Sequence, residues 1–175
     1  MKKLINKSKK PLLGLMIGLL FLGSVVVFAK NGSSFPFVNA KPAVNVVLSG
    51  TVERNSEKLS LGKAEAVQSG EVLQWTISSE NKGDGEAKNY KVVGKIPVGT
   101  EFVAESAKAE GAAKVLYSLD GKEFSAQPMI EEKQADGSVK SVPAPTSMYK
   151  QLRFEWENSL NPKEKLNAFY EVKVK

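Results

Sequence analysis

Four groups of residues have the types and spacing that could support chemistry, and the first lies in a polar loop. Asn81, Asp84 and Glu86 occur together in the stretch NKGDGE. Oxygen-bearing side chains of this kind suit a hard cation such as Ca²⁺. The stretch lacks the spacing of an EF-hand loop, and Lys82 and Lys88 place positive charge beside it. The loop is therefore predicted to be a joint between two strands, with no bound metal.

A second group is a pair of carboxylates, Glu155 and Glu157, which could serve as the acid and base of glycoside hydrolysis. Strand alternation puts both on one face with Arg153 beside them, whereas such a pair usually flanks a cleft. The chain has no His and no Cys. A Ser–Lys pair stays open, but no spacing supports one. We expect a solvated strand face, no catalytic residues and no cofactor.

Aromatic residues form the third group, because exposed rings can stack on sugars. Trp75 and Trp156 are in phase with aliphatic residues of their own strands, which predicts that both lie in the core. Phe35, Phe37 and Tyr149 occupy linker or loop positions and are the better candidates for exposed rings.

The fourth group could form an internal Lys–Asn isopeptide bond, which stabilises some surface domains that lack disulfides. Lys58 could pair with Asn158 or Asn167. The bond also needs a buried acid, which the sequence does not identify, so this alternative stays open.

The elements that must position these residues are strands, because apolar residues after residue 42 recur at every second position. Gly, Pro, Asn and Asp separate the segments, and Asp120-Gly121 and Asp136-Gly137 are hairpin signals. This pattern predicts an all-β fold of two packed antiparallel sheets, a β-sandwich. The predicted strands cover 44–48, 59–67 weakly, 72–78, 89–96, 102–103, 114–119, 129–133, 138–142, 150–157 and 166–175.

The N-terminus is typical of an export signal. Five lysines in the first ten residues precede Leu12–Ala29, an uncharged apolar helix. Cleavage is expected between Ala29 and Lys30, with Ala40 as a weaker second position, and an uncleaved membrane anchor is the alternative. The predicted organisation is a signal peptide at 1–29, a linker at 30–42 and a β-sandwich domain at 43–175.

The charge of the chain belongs mostly to this leader. The whole chain has 25 basic and 19 acidic residues, a net charge of +6. Without the five leader lysines, the basic residues exceed the acidic ones by one. We expect no nucleic-acid partner, since that needs clustered basic surface. Membrane contact is expected only through the N-terminal segment, if it is uncleaved.

Two motifs resemble the DUF11 family, whose members are bacterial extracytoplasmic modules with an immunoglobulin-like sandwich. The first is Asn81, Gly83 and Gly85 after the aromatic-threonine-isoleucine of strand 72–78. The second is Ile96, Pro97, Gly99 and Thr100, in the stretch IPVGTEFV. The resemblance covers about Val44 to Lys175 and implies an immunoglobulin-like fold without general catalytic residues. Family members are usually repeated, whereas this chain holds one copy.

These observations predict an exported, non-enzymatic structural or protein-interaction module of the cell envelope or surface, secreted, periplasmic or surface-bound. Its expected partners are envelope or surface proteins, bound through loops or by a strand added to an open sheet edge. The alternative is a glycan- or small-ligand-binding sandwich.

Overall fold

Strands with alternating apolar residues form the framework of the protein. The structure is a computed structural model, and it describes residues 40–64 and 66–175. The predicted signal peptide, its cleavage between Ala29 and Lys30, and residues 30–39 of the linker with Phe35 and Phe37 lie outside the described residues. No helix in the described ranges is long and apolar enough to cross a membrane.

The described residues form an all-β fold, as predicted, with eleven strands and one 3₁₀ turn at Thr146–Met148. Every strand pairing is antiparallel. The strands are β1 Val44–Arg54, β2 Glu57–Ser60, β3 Val72–Asn81, β4 Lys91–Lys95, β5 Thr100–Phe102, β6 Lys108–Ala109, β7 Ala113–Ser118, β8 Met129–Lys133, β9 Val139–Pro143, β10 Gln151–Trp156 and β11 Lys165–Val174.

The strands form two packed sheets and a separate hairpin. The larger sheet has the order β2-β1-β3-β11-β5, and β6 also pairs with β11. The smaller sheet has the order β4-β10-β7. β8 and β9 pair only with each other, so the predicted hairpin is confirmed and forms a third, two-stranded sheet outside the two layers. Neither strand of this hairpin contains a buried residue, which is why it does not join a layer.

The core lies between the two sheets and follows the period-two pattern. Leu73 and Ile77 of β3 face Leu152 and Phe154 of β10, and all four are buried. Burial of each such side chain contributes about 1.5–3 kcal/mol. The Tyr170 hydroxyl of β11 crosses the core and donates to the Lys95 carbonyl of β4 at 2.7 Å. Burial raises the pKa of Tyr170 to about 12.

The predictions for β3, β10 and β11 are confirmed, whereas the weak strand predicted at 59–67 is wrong after Ser60. The Lys63 and Ala64 amides both donate to the Ser60 carbonyl, so the chain turns there. The Asp120-Gly121 turn also forms. After it, the chain pairs with β7 only through a single bridge between Tyr117 and Ser125, so no second hairpin strand follows.

Candidate functional site

The polar loop after β3 is organised by one buried amide, that of Asn81, whose side chain is fully buried. Its Nδ2 donates to the carbonyls of Gly85 at 2.7 Å and Leu160 at 3.0 Å. Its Oδ1 accepts from the Ala43 and Gly83 amides, both at 3.1 Å. One side chain thus joins the approach to β1, the loop itself and the segment before β11. Because these bonds use the donors and acceptors of the amide, the loop acts as a structural joint.

The two glycines of this loop allow close packing of backbones. A Cβ on Gly85 would lie 2.5 Å from the Ala40 carbonyl oxygen, and one on Gly83 would collide with the backbone of Lys41 and Ala43. Neither glycine has a positive φ. Close contact with residues 40–43, rather than a left-handed backbone conformation, therefore accounts for both glycines.

The second motif forms a separate tight turn. The Thr100 amide and hydroxyl both donate to the Pro97 carbonyl, at 3.1 Å and 2.7 Å. Gly99 has φ +85°, which fits the third position of a type II turn. The Ile96 amide donates to the Lys150 carbonyl and holds the turn against the smaller sheet. The two motifs hold different parts of the chain: the first binds residues 41–43 and Leu160, and the second binds Lys150.

The oxygen-bearing side chains of the first loop are already paired. The Asp84 carboxylate lies 3.8 Å from Lys163 Nζ, and the Glu86 carboxylate lies 2.9 Å from Lys88 Nζ. A hydrogen bond from Lys88 lowers the pKa of Glu86. No group of three or more His, Cys, Asp or Glu side chains in the described ranges could hold a metal ion. The calcium alternative is therefore not supported by the geometry of this loop.

Lysine and arginine side chains pair with both carboxylates of the predicted pair, Glu155 on β10 and Glu157 just beyond its end. Glu155 accepts from Lys91 at 3.1 Å and lies 2.7 Å from Arg153. The Lys91 hydrogen bond lowers the pKa of Glu155, which is the opposite of what a general acid requires. Glu157 is exposed and lies 3.6 Å from Lys114. Both carboxylates thus belong to surface ion pairs, but only Glu155 lies on the strand, so the expectation that one strand face holds both is wrong.

The aromatic side chains pack into the sandwich. Trp156 is buried, stacks on Tyr90 at 5.4 Å and donates its indole N–H to the Glu110 carbonyl. Trp75 is half-buried and packs against the core. Tyr149 stacks on Tyr117 at 4.9 Å and is also half-buried, so its prediction as an exposed sugar platform is wrong.

The residues posed for an isopeptide bond are not brought together. Lys58 Nζ donates to Gln74 Oε1 at 3.3 Å, whereas Asn167 binds the Glu110 carboxylate. Asn167 pairs with Ser78 of β3. Ser78 lies four residues, or about 13 Å, along that strand from Gln74, the residue that Lys58 contacts. Asn158 lies exposed beyond the end of β10.

The first half of β1 is the strand segment that could receive a partner. β3 pairs with β1 along Val44–Val52, but β2 covers only Thr51–Arg54 on the other side. One further bond, from the Leu61 amide to the Gly50 carbonyl, extends this cover. Since residues 50, 52 and 54 face β2, alternation points the backbone groups of Val44, Val46 and Leu48 outward. No described strand pairs with them. We call Val44–Ser49 the open edge.

Four of the six side chains of the open edge are apolar, and three of these are half-exposed. Val46, Val47 and Leu48 have relative exposures of 46%, 52% and 54%. Val46 and Leu48 share the inner face with their partners Ser79 and Ile77, which are each only 2% exposed. The difference arises because the opposite layer reaches β3, where the Tyr90 hydroxyl donates to Ser79, and covers Val52 of β1 but leaves Val46 and Leu48 exposed. The open edge therefore combines unpaired backbone groups with uncovered apolar side chains.

The sequence analysis expected an open sheet edge without locating it. The signal is present in the sequence as three successive apolar residues, Val46-Val47-Leu48, inside an alternating strand. No charged residue and no proline occurs from Val44 to Val52. Strand order decides which strand is an edge, and it depends on long-range pairing that a single sequence does not give.

A second exposed feature is an apolar groove of about 460 Å³ beside the Pro97 turn. Ile96, Pro97, Met148 and Tyr149 line it, and Val98 is fully exposed at its rim. Lys150 and Lys175 also line it, and no acidic residue does. The groove suits a small apolar ligand with negative charge.

Comparison of the chain with family models, curated proteins and solved structures finds no match. The DUF11 resemblance therefore stays a prediction from the two motifs.

Proposed function

We propose that this chain is an exported, non-enzymatic protein-interaction module of the cell envelope or surface, with an immunoglobulin-like sandwich of DUF11-like type. The observation that carries the proposal is the open edge, an uncharged strand segment with unpaired backbone groups. Such an edge binds an extended segment of another protein through main-chain hydrogen bonds. The sequence supports the exported location through its lysine-rich end and the uncharged run Leu12–Ala29.

The non-enzymatic part of the proposal rests on the residues. The chain has neither His nor Cys, and Glu155 is held as a carboxylate by Lys91 and Arg153. The side-chain amide of the buried Asn81 forms its hydrogen bonds with main-chain groups of the protein itself. Partners are proposed to be envelope or surface proteins, with membrane contact only through an uncleaved N-terminal segment.

Photo-cross-linking in the cells that make this protein tests the proposal. A photoreactive residue at Leu48 should capture a protein partner, and the protein's own N-terminus should be Lys30 by mass spectrometry. The matched control places the same residue at Val139, which is 61% exposed on the separate hairpin. A cytoplasmic protein that retains Met1, or equal capture from both positions, would contradict the proposal.

The second candidate function is binding of a small ligand or glycan, which the apolar groove beside Pro97 favours. In that case an anionic apolar probe such as a naphthalene sulfonate binds the groove. A Met148→Glu variant then binds the probe more weakly, whereas Val139→Glu, on the exposed β8–β9 hairpin, leaves probe binding unchanged. Equal probe binding by the two variants would remove this candidate.

A further inference from the structure

We propose that the open edge pairs with the open edge of a second copy of this chain, antiparallel and about a two-fold axis at Asn45. The inference rests on the proposed function, because it names the partner of the same edge. It follows from the charge of the segment, from the direction of its backbone groups and from the obstacle that β2 presents.

The open edge differs from the other sheet edges because it lacks the features that prevent an edge strand from pairing with another chain. Native edge strands are usually short, charged, interrupted by proline or covered. In the described chain β2 carries Glu57 and Lys58, and β4 carries Lys91 and Lys95. β5 has only three residues and includes Glu101, and β7 is bridged at Tyr117 by Ser125. Among these edges, only the open edge has no charged residue.

The open edge of a second copy has the properties that a strand docking on this segment needs. A strand that docks here meets apolar side chains on the inner face and no countercharge, so it must itself be uncharged and apolar. Each copy presents such a strand, with its own unpaired groups at Val44, Val46 and Leu48. Antiparallel pairing of the two copies would satisfy the outward backbone groups of Val44 and Val46 without bringing like charges together.

The position of Leu61, which follows β2, limits the registers in which two open edges can pair. Leu61 occupies the edge beside Gly50, so a partner strand cannot continue past Ser49. A two-fold axis at Val46 would place Pro42 of one copy on Leu61 of the other. An axis at Asn45 moves Pro42 opposite Leu48 and places Val44 of each copy opposite Val46 of the other. Ala40 would then lie opposite Gly50, so the partner chain must leave the pairing before Lys41. Because both residues direct their backbone groups outward, this register forms four main-chain hydrogen bonds between the copies.

Cysteine cross-linking of the full chain, in the form that cells make, tests this register. The chain has no Cys, so each variant carries one thiol. Asn45→Cys should form disulfide dimers, because non-hydrogen-bonded antiparallel pairs have Cα atoms about 4.5 Å apart, within disulfide range. Its dimers should form at least about ten times faster than those of Val139→Cys on the hairpin. A mixture of Val44→Cys and Val46→Cys should give the heterodimer in preference to either homodimer.

Sedimentation equilibrium supplies the independent measurement. The unchanged chain should show a monomer–dimer equilibrium, and Val46→Lys should shift it to monomer, because the change puts charge into an uncharged interface. Val139→Lys should leave the equilibrium unchanged, and circular dichroism should show that both variants are folded. Val46 is half-exposed, so the lysine can reach water without disrupting the core.

The outcomes separate the two proposals. A monomeric chain, together with equal cross-linking of Asn45→Cys and Val139→Cys, overturns the pairing of two copies. If Leu48 then captures a different protein in cells, the proposed function stands and its partner is that protein. If Leu48 captures no protein, the proposed function fails as well. Dimers that cross-link fastest at another β1 position overturn the register.

Discussion

At the scale of residues, one buried amide and two glycines hold the start of β1 in place. Asn81 connects residues 43, 85 and 160 through its side chain. Gly83 and Gly85 let residues 40–43 approach the loop closely enough to continue the β1–β3 ladder. The sequence identified all three as turn residues. It could not show that Asn81 is buried, because two of its partners, Ala43 and Leu160, are distant in the chain.

Gly83→Ala should destabilise the fold by about 1–3 kcal/mol, because the added methyl group overlaps the backbone of Lys41 and Ala43. Gly62→Ala is the matched control. Its Cβ would meet only Ser60 Oγ, at 3.7 Å, so little change is expected. Urea unfolding of both variants measures the difference. Equal stabilities for the two variants would mean that residues 40–43 do not pack tightly on this loop.

Glu71 should make stability depend on acid pH. Hydrogen bonds from Arg54 and from the Gln68 amide lower the pKa of Glu71 from 4.5 to about 2. Because the folded-state pKa lies below the unfolded value, the stabilisation is present above about pH 4.5. It is lost as the pH falls toward 2.

Comparison of the unchanged chain with Glu71→Gln checks this expectation through unfolding free energies over a pH series. The stability difference should be constant near neutral pH and should shrink between pH 4.5 and about 2. Glu132→Gln on the exposed hairpin is the control and should retain the pH dependence of the unchanged chain. A Glu71→Gln difference that is independent of pH would contradict the role of the Arg54 bond.

At the scale of elements, alternation identified the strands that are covered on one face. β3, β10 and β11 were predicted with the correct inward residues, because each lies beneath another sheet. The strand predicted at 44–48 is also present, and its Val44, Val46 and Leu48 share one face of β1. Their exposure could not be predicted, since it depends on how far the smaller sheet extends sideways. Sheet width is a property of strand order rather than of local pattern.

The β8–β9 hairpin should open far more readily than the sandwich. It contains no buried residue, and the Ala144 amide ties its base to the Pro128 carbonyl at 2.9 Å. A two-stranded hairpin alone is marginally stable in water. Its amides should exchange with deuterium at least about 100 times faster than those of β3 and β11.

Hydrogen exchange followed by mass spectrometry or NMR measures this ratio. β10 is the internal control, because it belongs to the small sheet but buries Leu152 and Phe154 and should exchange slowly. Protection of β8 and β9 equal to that of β3 would show that the hairpin is covered by something other than its own strands.

At the scale of the whole molecule, the sandwich holds the open edge and the apolar groove on a rigid frame. The Asn81 joint fixes the start of β1, and the Pro97 turn fixes one wall of the groove. The open edge needs no rearrangement to receive a strand, since its backbone is already extended by pairing with β3. A preformed edge loses little conformational entropy on binding.

If the open edge joins two copies, thermal stability should rise with protein concentration. Mass action stabilises the folded state when the dimer forms only from folded chains. The midpoint of thermal unfolding should increase by about 2–4 °C for each tenfold rise in concentration above the dimer dissociation constant. Val46→Lys should remove this dependence, and Val139→Lys should retain it. An unchanged chain whose midpoint is constant over a hundredfold range of concentration would show that the edge stays open in solution, whatever it binds in the cell.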